Sequence, residues 1–332
     1  MHLSIRDWPI HIRSITFSGL TTLSYIFDII FYSILFTLSA VLGTIIPPRF
    51  HEFSLFDISL RYTYKTEAEA AIPLPLLVFI SGGIPLIQFV LFALFQPNLS
   101  LTRRFWDLLS GFICLLGAMA TQLMATCILK NICGLPRPDM IDRCEPLLQN
   151  IPMTQLSNVA ICTQPDWNLV QEGFRSFPSG HSSAVFCGMI ITSLNISAKL
   201  QTFDNRNNSF KVFLTIIPIL LAMFVACTRV SDNRHFLRDV IVGSLIGVYV
   251  GSLFYWQYFP SVYSLRNNGR AYPPRRIGIH SFFNNIGGFW KIPDTLKGSF
   301  QERVLNGQEG EQYLTQLQSG YLNQTIVPTT IK

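Results

Sequence analysis

The chain has 332 residues, of which 49% are hydrophobic and only 13% are charged, and its formal net charge is +6. Its mean hydropathy is +0.35. A single soluble core does not bury so many apolar residues. The composition therefore excludes a soluble globular protein and predicts a protein that crosses a membrane several times.

Residues 1–22 precede the first long apolar stretch and include Arg6, Asp7 and Arg13. The stretch that follows is too long for the apolar region of a cleavable signal peptide. We interpret residues 1–22 as a cytoplasmic segment and the first apolar stretch as a retained anchor.

Six apolar stretches are long enough to cross a hydrocarbon layer of about 30 Å. They lie at residues 23–46, 74–95, 107–129, 182–198, 212–228 and 239–258. Residues 23–258 are therefore predicted to form an all-α membrane protein, a six-transmembrane helix bundle. Gly243, Gly247 and Gly251 recur every four residues in the last stretch, which allows close helix packing, and we favour packing within the chain over dimerisation.

The segment 259–332 is polar, and its composition is typical of a disordered tail. An even number of spans places both termini on one side, together with the loops 96–106 and 199–211. These segments hold most of the 25 Lys and Arg residues. Because basic segments stay in the cytoplasm, we expect cytoplasmic termini and a non-cytoplasmic location for the other loops.

Four glycosylation sequons fall in a predicted helix or on the predicted cytoplasmic side, and we expect them to be unglycosylated. They begin at Asn98, Asn195, Asn207 and Asn323. The sequence does not specify the membrane: an endomembrane (vacuole, Golgi or ER) and the plasma membrane both fit. It also does not specify the oligomeric state.

Two of the seven cysteines, Cys144 and Cys162, lie in one predicted non-cytoplasmic loop. A disulfide between them and a pair of free thiols both fit this placement. The cysteine spacing matches no zinc-binding pattern.

Three short clusters lie where apolar stretches meet water. The first contains Lys130, at the end of the third stretch, and Arg137 between Pro136 and Pro138. The prolines end the helix, so Arg137 can fold back and bind the same anion as Lys130. A lysine that extends from a helix end towards water is the alternative interpretation.

The second cluster is the run Pro178, Ser179, Gly180 and His181, directly before the fourth stretch. Proline suits the first helical turn, glycine allows close approach of a ligand, and the first amides of the helix can bind a phosphate oxygen. His181 would then lie beside that phosphate. An ordinary helix start with a histidine at its boundary is the alternative.

The third cluster contains Arg229, His235 and Asp239. If the last two lie on one helix, their spacing of four residues puts them on one face, so the carboxylate can orient the imidazole for nucleophilic attack. An exposed ion pair is the alternative, but charged groups near a membrane are rarely kept without a partner or purpose.

Together the clusters supply three cations, two histidines and one carboxylate, which suits phosphoryl transfer without a metal or cofactor. We therefore predict a membrane-embedded phosphatase. No group of carboxylates in the sequence resembles a metal site. We expect a phospholipid of the bilayer as the partner and no nucleic acid.

The pattern of the three clusters resembles the type 2 phosphatidic acid phosphatase superfamily over about residues 20–258. The surrounding residues, Asp142 to Cys144 and Glu172-Gly173 among them, resemble more narrowly the fungal lipid phosphate phosphatases. Two departures are Thr228, where Ser is common, and Phe236, where relatives often carry a second histidine.

The resemblance implies a role for each site residue. Lys130, Arg137 and Arg229 would hold the phosphate with help from Ser179 and the Gly180 amide. His235, oriented by Asp239, would form a phosphohistidine, and His181 would protonate the leaving alcohol. The resemblance also implies Mg-independent action on phosphatidate, lysophosphatidate or diacylglycerol pyrophosphate. A sphingoid-base or sugar phosphate phosphatase, and a protein that binds lipid phosphates without hydrolysing them, stay open as alternatives.

Overall fold

A computed structural model describes residues 9–12, 15–95, 101–147, 155–204, 206, 208–263 and 269–272. Within these residues it contains two short strands and eight α-helical segments. In chain order they are β1 (Pro9–Ile12), β2 (Ile15–Ser18), α1 (Gly19–Thr44), α2 (Leu74–Phe95), α3 (Leu101–Cys133), α4 (Met140–Cys144), α5 (Trp167–Gly173), α6 (Gly180–Leu200), α7 (Ser209–Ser231) and α8 (Leu237–Tyr258). Helices α1, α2, α3, α6, α7 and α8 are long and apolar enough to cross a membrane, which confirms the predicted multi-pass helical protein.

The chain divides into two compact units. One contains residues 1–29, 99–103 and 272–332, and its described part includes the antiparallel hairpin of β1 and β2, in which Pro9 pairs with Ser18. This hairpin lies in the N-terminal segment, for which the sequence predicted no regular structure. The other unit contains residues 30–98 and 104–271 and carries every predicted site residue.

The helices extend differently from the apolar stretches. Helix α3 continues to Cys133 and α7 continues to Ser231, beyond the predicted ends at 129 and 228, whereas α1 ends at Thr44 and not at 46. Hydropathy marks the part of a helix that lies in hydrocarbon, while backbone hydrogen bonding continues in water until a stop residue. Lys130 and Arg229 consequently lie within the last turns of their helices.

The glycine stripe of α8 packs against α6. A Cβ atom added to Gly243 would overlap the Ser179 carbonyl oxygen, and one added to Gly247 would overlap the Ser183 carbonyl oxygen. Small residues permit this approach of two backbones. Packing within the chain is therefore confirmed for this stripe, and it fixes the start of α6 against α8.

A cap built from the segments between the long apolar helices covers one end of them. Its core contains Phe53, Leu55, Leu60, Met140, Cys144, Val170 and Phe174. Cys144 and Cys162 form a disulfide, which settles the alternative that the sequence left open. In the segment 47–72, Phe53, Leu55 and Leu60 are buried and cover the helix ends. Phe56 and Ile58 of the same segment are 40% and 82% exposed, so it also presents apolar side chains at the surface.

The segments that follow α1, α3 and α7 lie on the same side of the bundle. The Arg49 amide donates to the Asn131 carbonyl over 2.9 Å, and the Phe53 amide donates to the Ser157 carbonyl over 3.0 Å. Lys65 forms an ion pair with Asp232 at 3.4 Å. The three predicted clusters therefore meet at one end of the bundle.

The predicted tail does not begin as free chain. Phe259 is 1% exposed and stacks on Tyr255 with ring centres 5.1 Å apart. The Ala271 amide donates to Asp107 Oδ1 over 3.0 Å. The rest of the predicted tail, residues 273–332, lies outside the described residues, as do Asn98, Asn207 and Asn323.

Candidate active site

The first cluster forms where α3 ends. Gly134 has a φ of +55°, a left-handed conformation that glycine adopts easily, and its amide donates to the Lys130 carbonyl over 3.0 Å. The Arg137 amide then donates to the Gly173 carbonyl over 2.8 Å. The chain turns back as predicted, and this turn directs Arg137 towards Glu172, whose Oε2 lies 2.9 Å from Arg137 Nη2.

Lys130 joins the first cluster to the second. Its Nζ donates to the Arg175 carbonyl over 2.5 Å. A Cβ atom added to Gly180 would lie 3.7 Å from Lys130 Cε, an ordinary van der Waals distance. Lys130 therefore lies against the first residue of α6 and not in open water, which removes the interpretation as a lysine extended towards solvent.

Ser179 is the N-cap of α6, and its fully buried hydroxyl accepts from the Ser182 amide over 3.4 Å. Pro178 precedes this cap, so the expectation that it lies in the first helical turn is wrong. The Ser179 hydroxyl serves the helix start. The amides of Gly180 and His181 face the same end of the helix, where an anion is stabilised by the helix dipole.

His181 presents an unused nitrogen. Within the described residues, its Nε2 is buried and has no hydrogen-bond partner. A buried polar atom without a partner is costly unless a ligand or water satisfies it. The nitrogen is therefore available to a bound group beside Lys130 and Gly180.

Arg229 lies in the last turn of α7 and is 2% exposed. Its Nη2 lies 2.9 Å from Asp232 Oδ2 and 3.1 Å from the Thr228 hydroxyl oxygen. Thr228 thus contributes a hydroxyl acceptor for the Arg229 guanidinium. Asp232 also accepts from the Ala71 amide over 3.0 Å, which fastens the segment 61–72 to this cluster.

His235 and Asp239 meet, but not on one helical face. Helix α8 begins at Leu237 with Phe236 as its N-cap, so His235 precedes the helix. Asp239 reaches back to the N-cap, where its Oδ2 accepts from the Phe236 amide over 3.1 Å, and Oδ2 lies 3.9 Å from His235 Nδ1. The helix cap, and not the four-residue spacing within a helix, brings these two groups together.

The carboxylate of Asp239 is fully buried. The Ser176 hydroxyl donates to its Oδ2 over 2.5 Å. This hydrogen bond and the cap bond fix the carboxylate beside the imidazole. Ser176 belongs to the segment between α5 and α6, so a second segment of the chain holds the His235 and Asp239 pair in place.

Burial, together with nearby positive charges, keeps His235 neutral. Burial lowers the pKa of His235 well below that of an ordinary histidine, and the positive charges of Lys130 and Arg137 act in the same direction. A hydrogen bond with the Ser176 carbonyl acts in the opposite direction but does not reverse the shift. At neutral pH the imidazole of His235 therefore carries a free electron pair.

The ionised partners remain charged. Burial lowers the pKa of Arg137 to about 10, so its guanidinium stays positive at neutral pH. For Glu172, desolvation acts to raise the pKa, but the charges of Arg137 and Lys130 outweigh it and hold the pKa at about 2. The site therefore contains a carboxylate that stays ionised between its cations.

The structure brings all eight predicted residues to one end of the bundle, and it adds partners that the sequence analysis did not assign. Glu172 binds Arg137 and also Arg175, at 2.9 and 3.0 Å. Asp232 binds Arg229. A residue three positions after Arg229 is a natural ion-pair partner at a helix end, so the pair of Arg229 with Asp232 could have been predicted from the sequence. The pair of Arg137 with Glu172 joins residues far apart in the chain, and no sequence pattern predicted it.

The PAP2 superfamily matches residues 111–263, which include all three clusters. A probable diacylglycerol pyrophosphate phosphatase 1 of Schizosaccharomyces pombe is 32% identical over 236 residues, which cover 69% of this chain and 80% of the relative. The chain belongs to the PAP2 superfamily. The region that matches the PAP2 superfamily begins inside α3 and ends after α8, so it contains the four helices that carry the site.

Further members of the PAP2 superfamily align with this chain. Lipid phosphate phosphatase 2 of Arabidopsis thaliana is 32% identical over 254 residues, which cover 76% of this chain and 80% of that protein. Diacylglycerol pyrophosphate phosphatase 1 of Saccharomyces cerevisiae is 33% identical over 138 residues, which cover 41% of this chain and 47% of that protein. No solved structure gives a significant match. These relatives confirm the resemblance to the fungal lipid phosphate phosphatases.

Proposed function

We propose that this protein is an integral membrane lipid phosphate phosphatase that works without a metal through a phosphohistidine intermediate. The observation that carries the proposal is the buried, neutral His235 beside Asp239, at the point where three cations and a helix N-terminus converge. Membership of the PAP2 superfamily and similarity to lipid phosphate phosphatases support the lipid phosphatase activity.

In this mechanism, His235 attacks the phosphorus in line with the bond to the lipid oxygen. Asp239, 3.9 Å from Nδ1, stabilises the imidazole as it becomes positive. Lys130, Arg137 and Arg229 bind the phosphate oxygens and stabilise the charge that spreads over them in the transition state. The amides at the start of α6 contribute to the same stabilisation.

His181 completes the reaction. His181 enters the cycle protonated, and its buried Nε2, which has no partner in the described residues, donates that proton to the departing lipid oxygen. It then takes a proton from the water that attacks the phosphohistidine. Inorganic phosphate leaves, and His235 returns to the neutral state.

The position of the site supports a lipid substrate. The site lies at the ends of four of the six helices that are apolar enough to span a membrane, and the nearby cap presents the exposed apolar residues Phe56 and Ile58. A headgroup can reach such a site while its acyl chains stay in the bilayer. Phosphatidate, lysophosphatidate and diacylglycerol pyrophosphate are the substrates we propose, and sphingoid-base or sugar phosphates are the competitors to include in a substrate panel.

We also propose that the termini are cytoplasmic and the site lies on the other side of the membrane. The disulfide of the cap supports this orientation, because disulfides persist outside the cytosol. Asn195, one of the four sequons, is fully buried in α6, which agrees with its predicted lack of a glycan. Acceptor sequons placed in the segment 155–165 test the orientation, since only a non-cytoplasmic segment of an endomembrane or plasma membrane protein would be glycosylated.

The deciding experiment measures phosphate release from phosphatidate in detergent micelles by the purified protein with EDTA present. The His235→Ala variant should lose activity and should form no phosphohistidine with a phosphorus-labelled substrate. His51→Ala is the matched control, because His51 is an exposed histidine of the cap and lies outside the site. It should retain activity.

Activity that requires Mg²⁺ would refute the metal-free mechanism. Activity retained by His235→Ala would refute the nucleophile. If the wild type binds lipid phosphates and hydrolyses none of the panel, the protein is a binding protein and not an enzyme.

A further inference from the structure

Arg234 immediately precedes His235 and has no role in the mechanism above. Its Nη2 donates to the Lys65 carbonyl over 2.6 Å, and its guanidinium lies 5.3 Å from the centre of the Tyr64 ring. Within the described residues, its Nε is buried and has no hydrogen-bond partner. The segment 61–72 thus holds the guanidinium in place and leaves its buried Nε without a partner among the described residues.

Arg234 is weakly neutralised. Its ion-pair partner is Glu67, which lies 3.8 Å away and is 55% exposed, whereas the Arg234 side chain is only 11% exposed. A pair at this distance with one exposed member contributes little. In contrast, Arg137 and Arg229 each lie 2.9 Å from a carboxylate. Arg234 therefore adds positive charge that the described carboxylates offset only in part.

This charge belongs to the active site. Arg234 directly precedes His235, its amide donates to the Arg229 carbonyl over 3.1 Å, and its positive charge acts on Arg137 and His181. Three cations already surround the phosphoryl group that His235 attacks. A fourth cation that also acts on His181, the proposed donor to the leaving oxygen, suits a negative charge on the leaving group.

We propose that Arg234 binds the inner phosphate of a lipid pyrophosphate, the phosphoryl group that leaves with the lipid. This inference rests on the proposed function and names a subsite within it. The nitrogen of His235 forms a bond to the outer phosphorus, and the bond from that phosphorus to the bridging oxygen breaks. The electron pair stays on the bridging oxygen, which becomes part of the phosphate of the departing phosphatidate.

Phosphate monoesters and pyrophosphates differ in how the oxygen of the leaving group has to be stabilised. The alkoxide that leaves a phosphate monoester is strongly basic and needs a proton from His181. The oxygen that leaves a pyrophosphate belongs to a phosphate, which accepts the charge if a cation binds it. Arg234 therefore favours diacylglycerol pyrophosphate over phosphatidate.

The experiment compares kcat/KM for diacylglycerol pyrophosphate and phosphatidate in mixed micelles. In Arg234→Gln, the ratio of the two values should fall about tenfold, as expected for the loss of one charge-assisted hydrogen bond to phosphate. Arg61→Gln is the matched control. Arg61 is exposed on the same segment, and its Nη2 donates to the Leu55 carbonyl over 2.8 Å, so the variant removes an equal charge outside the site. Its ratio should not change.

The Glu67→Gln variant should change the ratio of the two kcat/KM values in the opposite direction. Glu67 Oε1 accepts from the Leu74 amide over 2.9 Å, and glutamine can keep this bond through its carbonyl oxygen. The substitution removes the negative charge beside Arg234, so the ratio should rise about twofold to threefold, the size of an exposed ion pair.

An equal loss on both substrates in Arg234→Gln would overturn the inference, because it would indicate a general electrostatic or folding role. An unchanged ratio would also overturn it. Calorimetry with orthophosphate and imidodiphosphate, a pyrophosphate analogue that resists hydrolysis, provides a measurement independent of turnover. The wild type should bind imidodiphosphate more tightly, and Arg234→Gln should lose that preference. If neither lipid is hydrolysed, the proposed function fails, but the binding measurement still tests the role of Arg234. A wild type that does not prefer imidodiphosphate over orthophosphate would refute that role.

Discussion

Asp232→Asn removes the negative charge that neutralises a buried arginine of the proposed phosphate clamp. Arg229 is 2% and Asp232 is 3% exposed at the side chain, and their charged atoms lie 2.9 Å apart. Breaking a buried pair by neutralising one partner costs about 3 to 5 kcal/mol. Asparagine keeps an acceptor for the Ala71 amide, so we expect a loss of about 3 kcal/mol, near the lower limit.

The loss of about 3 kcal/mol can appear in either of two measured quantities. If Arg229 keeps its place, the unpaired charge lowers the free energy of unfolding, and the midpoint of thermal inactivation in detergent falls. If Arg229 moves to find water, the phosphate clamp opens and kcat/KM for phosphatidate falls, by about a hundredfold when the whole 3 kcal/mol appears in the transition state. Both quantities are measured on one preparation, with activity assayed well below the inactivation midpoint.

Lys65→Met is the matched control for this experiment. Lys65 is the other cation on Asp232, at 3.4 Å, but its side chain is 38% exposed. An exposed pair contributes about 0 to 1 kcal/mol, so the variant should lose less than fivefold in kcat/KM. A variant Asp232→Asn that matches the wild type in both midpoint and kcat/KM would refute the reasoning that Arg229 depends on this carboxylate.

Three further predictions concern helix packing, pH and the cap. Gly247→Val should reduce the folded yield and lower the inactivation midpoint, because its side chain would overlap the Ser183 carbonyl; a normal midpoint would show that α8 does not lie this close to α6. Because the pKa of His235 is lowered, the neutral nucleophile persists as the pH falls, so the acidic limb of kcat/KM attributed to this group should lie below about pH 6.5; a limb above that value would contradict the shift. Cys144→Ser together with Cys162→Ser opens a loop with a sequence separation of 18 and should cost about 3 kcal/mol of stability, seen as a lower inactivation midpoint, while activity in the cold persists; an unchanged midpoint would argue against the bridge.

The sequence predicted the helices well because the bilayer imposes a strong local rule. A backbone that crosses hydrocarbon must satisfy its hydrogen bonds internally, so each long apolar stretch becomes a helix. Alternation of the spans then places the end of α3, the start of α6 and the end of α7 on one side. Lys130, Gly180 and Arg229 could therefore be assigned to one site before their distances were known.

Local rules did not predict how His235 meets Asp239. The four-residue spacing suggested a shared helical face, but the helix begins at Leu237 and the carboxylate binds the Phe236 amide at its cap. Where a helix begins depends on which groups compensate its first amides, and here Ser176, from a distant segment, shares the same carboxylate. The structure places the two residues 3.9 Å apart, but the helix cap and not a shared helical face is the reason for their proximity.

The sequence by itself determined the number of membrane helices and the set of chemical groups at the site. The tertiary structure decided which carboxylate neutralises each cation, as for Arg137 with Glu172. It also decided which cation is only partly neutralised, as for Arg234 beside the segment 61–72. Hydropathy and helix stops act over a few neighbouring residues, so they can be read along the chain. Ion pairing depends on distances between segments that only the folded bundle brings together, because the Coulomb energy of two charges depends on their separation and burial and not on their spacing in sequence.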